Sequence, residues 1–121
     1  MIDWIRAQLI LFGLDQTNVR KSELASEEAL VNVIEHGYKG LPGEIKIEVI
    51  GSEREIRIVI QDRGPAFNPL KQQVGFDPSA TLDEREIGGL GILFMRQYMD
   101  DVLYSRNGDT NILTLIKHKP N

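Results

Sequence analysis

The sequence predicts an α/β fold of the α+β kind, a two-layer sandwich. About three helices cover one face of a four-stranded, mixed but mainly antiparallel sheet. Apolar residues recur at helical spacing in three segments, they alternate with polar residues in four others, and turn-forming residues separate the segments. Helices and strands with one apolar side must bury those sides against each other. For 121 residues we expect one domain, covering residues 1–121.

The first two helices are read from apolar spacing. Near the amino terminus the spaced residues are Ile2, Ile5, Leu9 and Phe12. Gly13 is placed to end this helix. A longer helix is expected from about Asn18 to His36, with Gly37 as its carboxy-terminal cap. Its buried stripe should include Leu24, Leu30, Val31 and Ile34.

The strands are read from alternation. Around Gly51-Ser52 the alternating apolar residues are Ile45, Ile47, Val49, Ile56, Ile58 and Ile60. They predict two strands whose apolar faces meet one core. After a third helix, from about Leu90 to Met99, two last strands are expected near Val102–Arg106 and Asn111–Lys117. They flank Asn107-Gly108, a hairpin-turn sequence.

The segment from about 64 to 87 shows no apolar periodicity. Four turn-forming residues interrupt it: Pro65, Pro69, Gly75 and Pro78. It is too long for a passive connection in a small domain, so we expect a functional lid.

Composition excludes several function classes. The net charge is −4 and no Lys/Arg-rich run is present, so direct binding of nucleic acid is not expected. The absence of cysteine excludes disulfides and thiol chemistry. No apolar stretch is long enough to span a bilayer, and no signal-peptide pattern is present. We therefore expect a cytoplasmic protein that does not bind membranes.

Glu28 and Asn32 are four residues apart, so a helix places them on one face. An amide oxygen suits Mg²⁺, and a carboxylate one turn away can orient or deprotonate an attacking hydroxyl or water. Taken alone, this pattern is more often a solvated helix face. Glu27 lies about 100° around the helix and should face solvent. His36 continues the Glu28–Asn32 face, but a helix end also favours such a side chain.

Asp62 follows a predicted strand and precedes Gly64. An ionised carboxylate accepts hydrogen bonds, so it can take one from the exocyclic amine of adenine. Gly64 allows the chain to turn sharply beside the base. The alternative is an ordinary Asp-x-Gly turn.

Three glycines surround the start of the third helix, in Gly88-Gly89-Leu90-Gly91. Backbone amides at a helix start can bind phosphate oxygens, and glycine lets them approach closely. A packing role for the glycines is the alternative. Arg85, just before them, is as compatible with a phosphate contact as with a solvated charge.

Three short motifs occur in a fixed order: Glu28-Ala-Leu-Val-Asn32, Asp62-Arg-Gly-Pro65 and Gly88–Gly91. In this order they resemble the N, G1 and G2 boxes of one ATP-binding fold. This fold, called GHKL, is shared by gyrase-type ATPases, histidine kinases and anti-sigma-factor serine kinases. Ala66 stands where the wider superfamily has a second glycine, which favours the anti-sigma branch. The resemblance implies a histidine-kinase-like ATPase fold whose first strand is absent here. One sheet edge would then be short, shielded or completed by a partner, unless the start is truncated.

The resemblance also implies ATP and Mg²⁺ as ligands. Glu28 would be the base, Asn32 the metal ligand and Asp62 the adenine anchor. Gly64 and the stretch Gly88, Gly89, Leu90 and Gly91 would contact the nucleotide. The family implies an anti-sigma factor that phosphorylates a serine or threonine of an anti-anti-sigma (STAS-type) partner, and it allows a homodimer. The alternative is an ATP-dependent binding module that transfers no phosphate. A histidine-kinase catalytic domain fits less well, because no phospho-acceptor helix precedes the fold and the lid is short.

Overall fold

The computed structural model describes residues 1–37, 43–65 and 91–119. Within these ranges it contains three α-helices, a π-helical turn and four strands. In chain order they are α1 (Ile2–Leu11), α2 (Gln16–Asn32), the π-helical turn (Val33–Gly37), β1 (Ile45–Gly51), β2 (Glu55–Asp62), α3 (Gly91–Tyr98), β3 (Asp101–Asn107) and β4 (Thr110–His118). The predicted fold class is confirmed. No helix in these ranges is both long enough and apolar enough to cross a membrane.

The four strands lie in the order β1-β2-β4-β3, and each of the three pairings is antiparallel. Within the described chain, β2 and β4 are therefore central, and β1 and β3 form the edges. Ile60 lies between Ile47 of β1 and Leu113 of β4. This register brings the apolar residues of the neighbouring strands to one side of the sheet, because successive side chains of a strand point to opposite faces.

The helices cover that side of the sheet and form the core with it. Ile56, Ile58 and Ile60 of β2 are completely buried, as are Ile5 and Leu9 of α1. Two residues beyond Ile60, the same side of β2 carries Asp62. A carboxylate therefore lies at the end of an otherwise apolar row.

Helix α1 ends as predicted at Gly13. The Gly13 N–H donates to the Ile10 carbonyl (3.0 Å), and the Leu14 N–H donates to the Leu9 carbonyl (3.1 Å). This is the Schellman pattern, and it requires the positive φ of +88° that Gly13 adopts. Leu9 and Leu14 are both buried, so the cap also ties the turn to the core.

Helix α2 departs from the prediction in its ends and in part of its buried face. It begins at Gln16, with Asp15 as the cap, and the π-helical turn follows Asn32. The expected burial of Val31 and Ile34 is wrong, because their exposed fractions are 46% and 43%. At 100° per residue, small side chains occupy the centre of the buried face instead: Ser22, Ala25, Ser26 and Ala29. Apolar size was therefore a poorer guide than angular position on a helix that packs through small residues.

Gly51, the last residue of β1, lies directly under the ring of Phe12. A Cβ atom at Gly51 would be 2.4 Å from Cδ1 of Phe12. Because that distance is far below van der Waals contact, the aromatic ring has room only while residue 51 has no side chain.

We predict that Gly51→Ala destabilises the protein by about 1–3 kcal/mol through overpacking. Urea unfolding of the single variants and of Gly51→Ala combined with Phe12→Ala measures this. In the Phe12→Ala background the added methyl should cost little, because the ring that it meets is gone. An equal cost in both backgrounds would contradict the packing explanation.

Candidate functional site

Asp62 is at the carboxyl end of β2 and is only 6% exposed. Its Oδ1 atom accepts hydrogen bonds from the Gly64 N–H (2.9 Å) and from Nδ2 of Asn111 (3.0 Å). The first of these is the Asp-x-Gly turn considered above. The second bond comes from the neighbouring strand β4, so Asp62 belongs to a network larger than a local turn.

Asn111 is the centre of this network and is 3% exposed. Its Nδ2 atom also donates to the carbonyls of Pro65 (2.9 Å) and Gly64 (3.3 Å). Its Oδ1 atom accepts from the hydroxyl of Tyr104 (2.5 Å) and from Nη1 of Arg106 (2.9 Å). Arg106 also donates to the Gly64 carbonyl (3.1 Å). Side chains from β3 and β4 thus fix both Asp62 and the backbone that follows it.

Sequence reasoning missed Tyr104, Arg106 and Asn111 as site residues. Asn111 was expected only as the start of a strand. The signal becomes visible once β2 is paired with β4, because Asp62 is then opposite Asn111, which is in turn opposite Arg106. Strands β2 and β4 are separated in the sequence by a helix and by β3, so spacing alone does not reveal that pairing.

Glu28 and Asn32 are on α2, one turn apart, as predicted. Asn32 is 8% exposed, Glu28 is half-buried, and Glu27 faces solvent. Burial raises the pKa of the Glu28 carboxyl, and the adjacent charge of Glu27 raises that pKa further. Within residues 1–37, 43–65 and 91–119, neither the Glu28 carboxylate nor the Asn32 amide has a hydrogen-bond partner.

These two side chains therefore differ from Glu23 on the same helix. The Glu23 carboxylate accepts a hydrogen bond from Arg6, and its second oxygen lies 3.7 Å from Arg20. The hydrogen bond from Arg6 is the main reason why the pKa of Glu23 is lowered, and the nearby arginine charges add to the effect. Glu23 is structurally paired, whereas Glu28 and Asn32 have hydrogen-bonding capacity for a ligand.

Helix α3 is fixed at its carboxyl end. Nζ of Lys117, a buried residue of β4, donates to the Tyr98 carbonyl (2.8 Å), and the Asp100 N–H donates to the Ile116 carbonyl (2.9 Å). Gly91 is the first residue of this helix. Gly88, Gly89, Leu90, Arg85 and most of the expected lid (66–87) lie outside the described residues. His36 falls in the π-helical turn.

The donor and acceptor sets define what the site can do. Asp62 offers a buried carboxylate oxygen as an acceptor for a base amine. The Asn32 amide is a neutral oxygen donor suited to Mg²⁺, which prefers oxygen ligands. Glu28 is a carboxylate whose raised pKa suits proton transfer near neutral pH better than that of an exposed glutamate would. The residues present therefore fit a magnesium–nucleotide complex.

Comparisons with known proteins are consistent with this chemistry. A family model described as a histidine kinase-like ATPase domain matches residues 1–117. The serine/threonine-protein kinase BtrW of Bordetella bronchiseptica is 33% identical over 96 residues, which are 78% of this chain and 67% of that protein. The serine-protein kinase RsbW of Listeria monocytogenes is 31% identical over 107 residues, 84% of this chain and 68% of that protein. The serine-protein kinase RsbW of Bacillus licheniformis is 30% identical over 94 residues, which are 74% of this chain and 59% of that protein.

We predict that Glu28→Gln stabilises the protein without ligand at neutral pH. A carboxyl whose pKa is raised by folding binds more protons when folded. Its contribution to stability therefore falls as the pH rises from the unfolded pKa through the folded pKa. The variant should unfold at a higher temperature than the unaltered protein at neutral pH, and the difference should vanish below about pH 4.

Thermal unfolding at several pH values measures this difference. Glu53→Gln, the same chemical change in the exposed β1–β2 loop, is the matched control and should change the midpoint little. If Glu28→Gln stabilises no more than Glu53→Gln at neutral pH, burial does not raise the pKa of the Glu28 carboxyl.

Proposed function

Because this chain belongs to the histidine kinase-like ATPase domain family, we propose that it is an ATP-dependent protein serine/threonine kinase acting as an anti-sigma factor. It binds Mg²⁺-ATP and transfers the γ-phosphoryl group to a small anti-anti-sigma protein. The observation that carries this proposal is the arrangement of α2, where half-buried Glu28 has a raised pKa one turn before buried Asn32. Neither has a described protein partner that would explain its position.

Asp62 recognises the adenine base in this proposal. Two donors, the Gly64 N–H and the Asn111 amide, both bond its Oδ1 atom. Oδ2 is then the oxygen that accepts from the exocyclic amine of adenine. Guanine presents a carbonyl oxygen at that position, which a carboxylate repels. The buried setting strengthens both effects, because little water competes there.

Glu28 and Asn32 divide the phosphoryl transfer between them. Glu28 takes the proton of the acceptor hydroxyl while the hydroxyl oxygen forms a bond to the γ-phosphorus. The bond between the γ-phosphorus and the β–γ bridging oxygen breaks at the same time, which releases ADP. Asn32 would hold Mg²⁺, which neutralises phosphate charge when bound. The amino end of α3, with the preceding glycines, offers backbone amides to the phosphates. An amide cannot take a proton, so the two roles are not interchangeable.

The partners follow from the branch of the family that the chain most resembles. An anti-anti-sigma (STAS-type) protein is the phosphoryl acceptor, and a bacterial sigma factor is the protein that the kinase holds inactive. Because a bacterial sigma factor, its regulator and ATP all occur in the cytoplasm, we propose that this activity is cytoplasmic. Relatives that are named serine-protein kinases support the kinase activity at about one-third identity. If no phosphate is transferred, the same site would make the chain an ATP-dependent binding module.

We predict that the protein binds ATP in preference to GTP in the presence of Mg²⁺, and that Asp62→Asn weakens ATP binding. The two donors on Oδ1 would hold the new amide oxygen, so the new NH₂ group would face the adenine amine. Loss of a hydrogen bond to a charged group corresponds to about a 10- to 100-fold weaker affinity. Isothermal titration calorimetry measures the affinities. Equal affinity for ATP and GTP in the unaltered protein would rule out the adenine pocket.

We also predict that Glu28→Gln keeps nucleotide affinity but lowers phosphorylation of the anti-anti-sigma partner by about 10²–10⁴-fold, the usual effect of losing a general base. Asn32→Ala should instead weaken binding of Mg²⁺-ATP and lose activity as a consequence. Transfer of γ-labelled phosphate to the recombinant partner, with calorimetry on each variant, separates the two roles.

Glu27→Gln is the matched control, because it makes the same chemical change on the exposed side of the helix. It should retain both binding and transfer. A Glu28→Gln variant that transfers phosphate at the original rate would remove the base assignment. If the unaltered protein binds ATP and its partner but never phosphorylates it, the binding-module function replaces the kinase.

A further inference from the structure

We propose that Asn111 is the positioning residue for base recognition, and that Tyr104 and Arg106 set its orientation. It holds the carboxylate of Asp62 and the backbone at Gly64 and Pro65 in one arrangement. The inference rests on the proposed role of Asp62 as the adenine anchor. It adds residues from β3 and β4 to a site otherwise built from α2, β2 and α3.

The hydrogen bonds allow only one orientation of the Asn111 amide. Arg106 can only donate, so the atom that faces its Nη1 at 2.9 Å must be the amide oxygen. The carbonyls of Gly64 and Pro65 can only accept, so the atom facing them must be the amide nitrogen. The amide therefore cannot flip, and its NH₂ group is directed at Oδ1 of Asp62 (3.0 Å).

Few other side chains could form the same set of hydrogen bonds at position 111. Serine and threonine have one hydrogen to donate, whereas the Asn111 amide supplies two, shared among Asp62, Gly64 and Pro65. Aspartate has the right shape but nothing to donate when it is ionised. Leucine has a similar size and no polar atom. These differences give a graded set of variants at one buried position.

The consequence for Asp62 is a fixed division between its two oxygens. In the part of the chain that the structure describes, both hydrogen bonds to the carboxylate end on Oδ1. Without the Asn111 donor, the Gly64 N–H alone would hold Oδ1, and the carboxylate could rotate. Selection between a 6-amino and a 6-oxo purine depends on an acceptor oxygen at one place. A rotating carboxylate would therefore weaken selectivity as well as affinity.

The test compares ATP with inosine triphosphate, in which a carbonyl oxygen replaces the 6-amino group. Calorimetry gives both affinities, and their ratio is the selectivity. We expect Asn111→Leu to weaken ATP binding by about tenfold and to lower the ratio by a similar factor, the value of one hydrogen bond to a charged group. Leu113→Ala is the matched control. Leu113 is the next residue on the same face of β4, it is buried, and it forms no part of the network.

Leu113→Ala should lower stability but leave the selectivity ratio unchanged. If it lowers the ratio as much as Asn111→Leu does, the effect is general loosening of the sheet and the inference is overturned. If Asn111→Leu keeps both the ATP affinity and the ratio, the inference is also overturned. The proposed function then stands, because the unaltered protein still prefers ATP. An unaltered protein that binds neither nucleotide overturns the proposed function itself.

Asn111→Asp provides a second test that does not depend on the leucine variant folding. The new carboxylate would still accept from Tyr104 and Arg106, but its other oxygen would face Asp62. Two carboxylates this close share a proton, so the second of the pair's two ionisations has a raised pKa, and the positive charge of Arg106 opposes only part of that rise. Below that pKa the shared proton restores a donor to Asp62, and above it the carboxylates repel each other.

The ATP affinity of Asn111→Asp should therefore fall as the pH rises, compared with the unaltered protein measured at the same pH values. A purely structural role would lower the affinities for ATP and for inosine triphosphate by the same factor at each pH, and would leave the selectivity ratio unchanged. An unchanged affinity ratio between the variant and the unaltered protein across the pH range would overturn the inference.

Discussion

Eight residue pairs hold β2 against β4, from Glu55 opposite His118 to Asp62 opposite Asn111, and this register decides which side chains the helices cover. A shift of one residue would move the isoleucines of β2 to the other face of the sheet. It would also separate Asp62 from Asn111. The same pairing therefore specifies the core and the polar cluster at its end. Asp62 and Asn111 are buried there, but they are hydrogen-bonded to each other and to their neighbours, which limits the cost of burying polar groups.

Helix α2 carries two carboxylates whose environments shift their pKa values in opposite directions. A hydrogen bond from Arg6 lowers the pKa of Glu23, whereas burial raises that of Glu28. The first carboxylate ties α1 to α2, since its partner comes from the other helix. The second has no such partner among the described residues. Groups whose pKa values are moved apart by their surroundings are typical of a division between structural and chemical roles.

Most of the fold could be predicted because the spacing of apolar residues indicates which side of a helix or strand is buried. The alternation from Ile56 to Ile60 and the turn sequence at Asn107-Gly108 predicted strands that the structure contains, but Asn107 is the last residue of β3 and the turn itself is Gly108-Asp109. Burial on α2 was predicted less well, because Val31 is exposed while serines and alanines pack inside. The placement of Glu28 and Asn32 on one face of α2 could be predicted from helical spacing alone. Asn111 could not be found in that way, since its role depends on a contact between strands that are 49 residues apart at Asp62.

Strand β4 links the two ends of the candidate site. Asn111 and Lys117 are six residues apart, so they lie on the same face of the strand, about 20 Å from each other. Asn111 holds the carboxylate that is proposed to bind the base, and Lys117 holds the carboxyl end of α3, whose amino end is proposed to meet the phosphates. Because one extended strand contacts both, it fixes the distance between Asp62 and the carboxyl end of α3. In the proposed function, a nucleotide bound by Asp62 at one end would therefore meet the amides of α3 at a defined distance at the other.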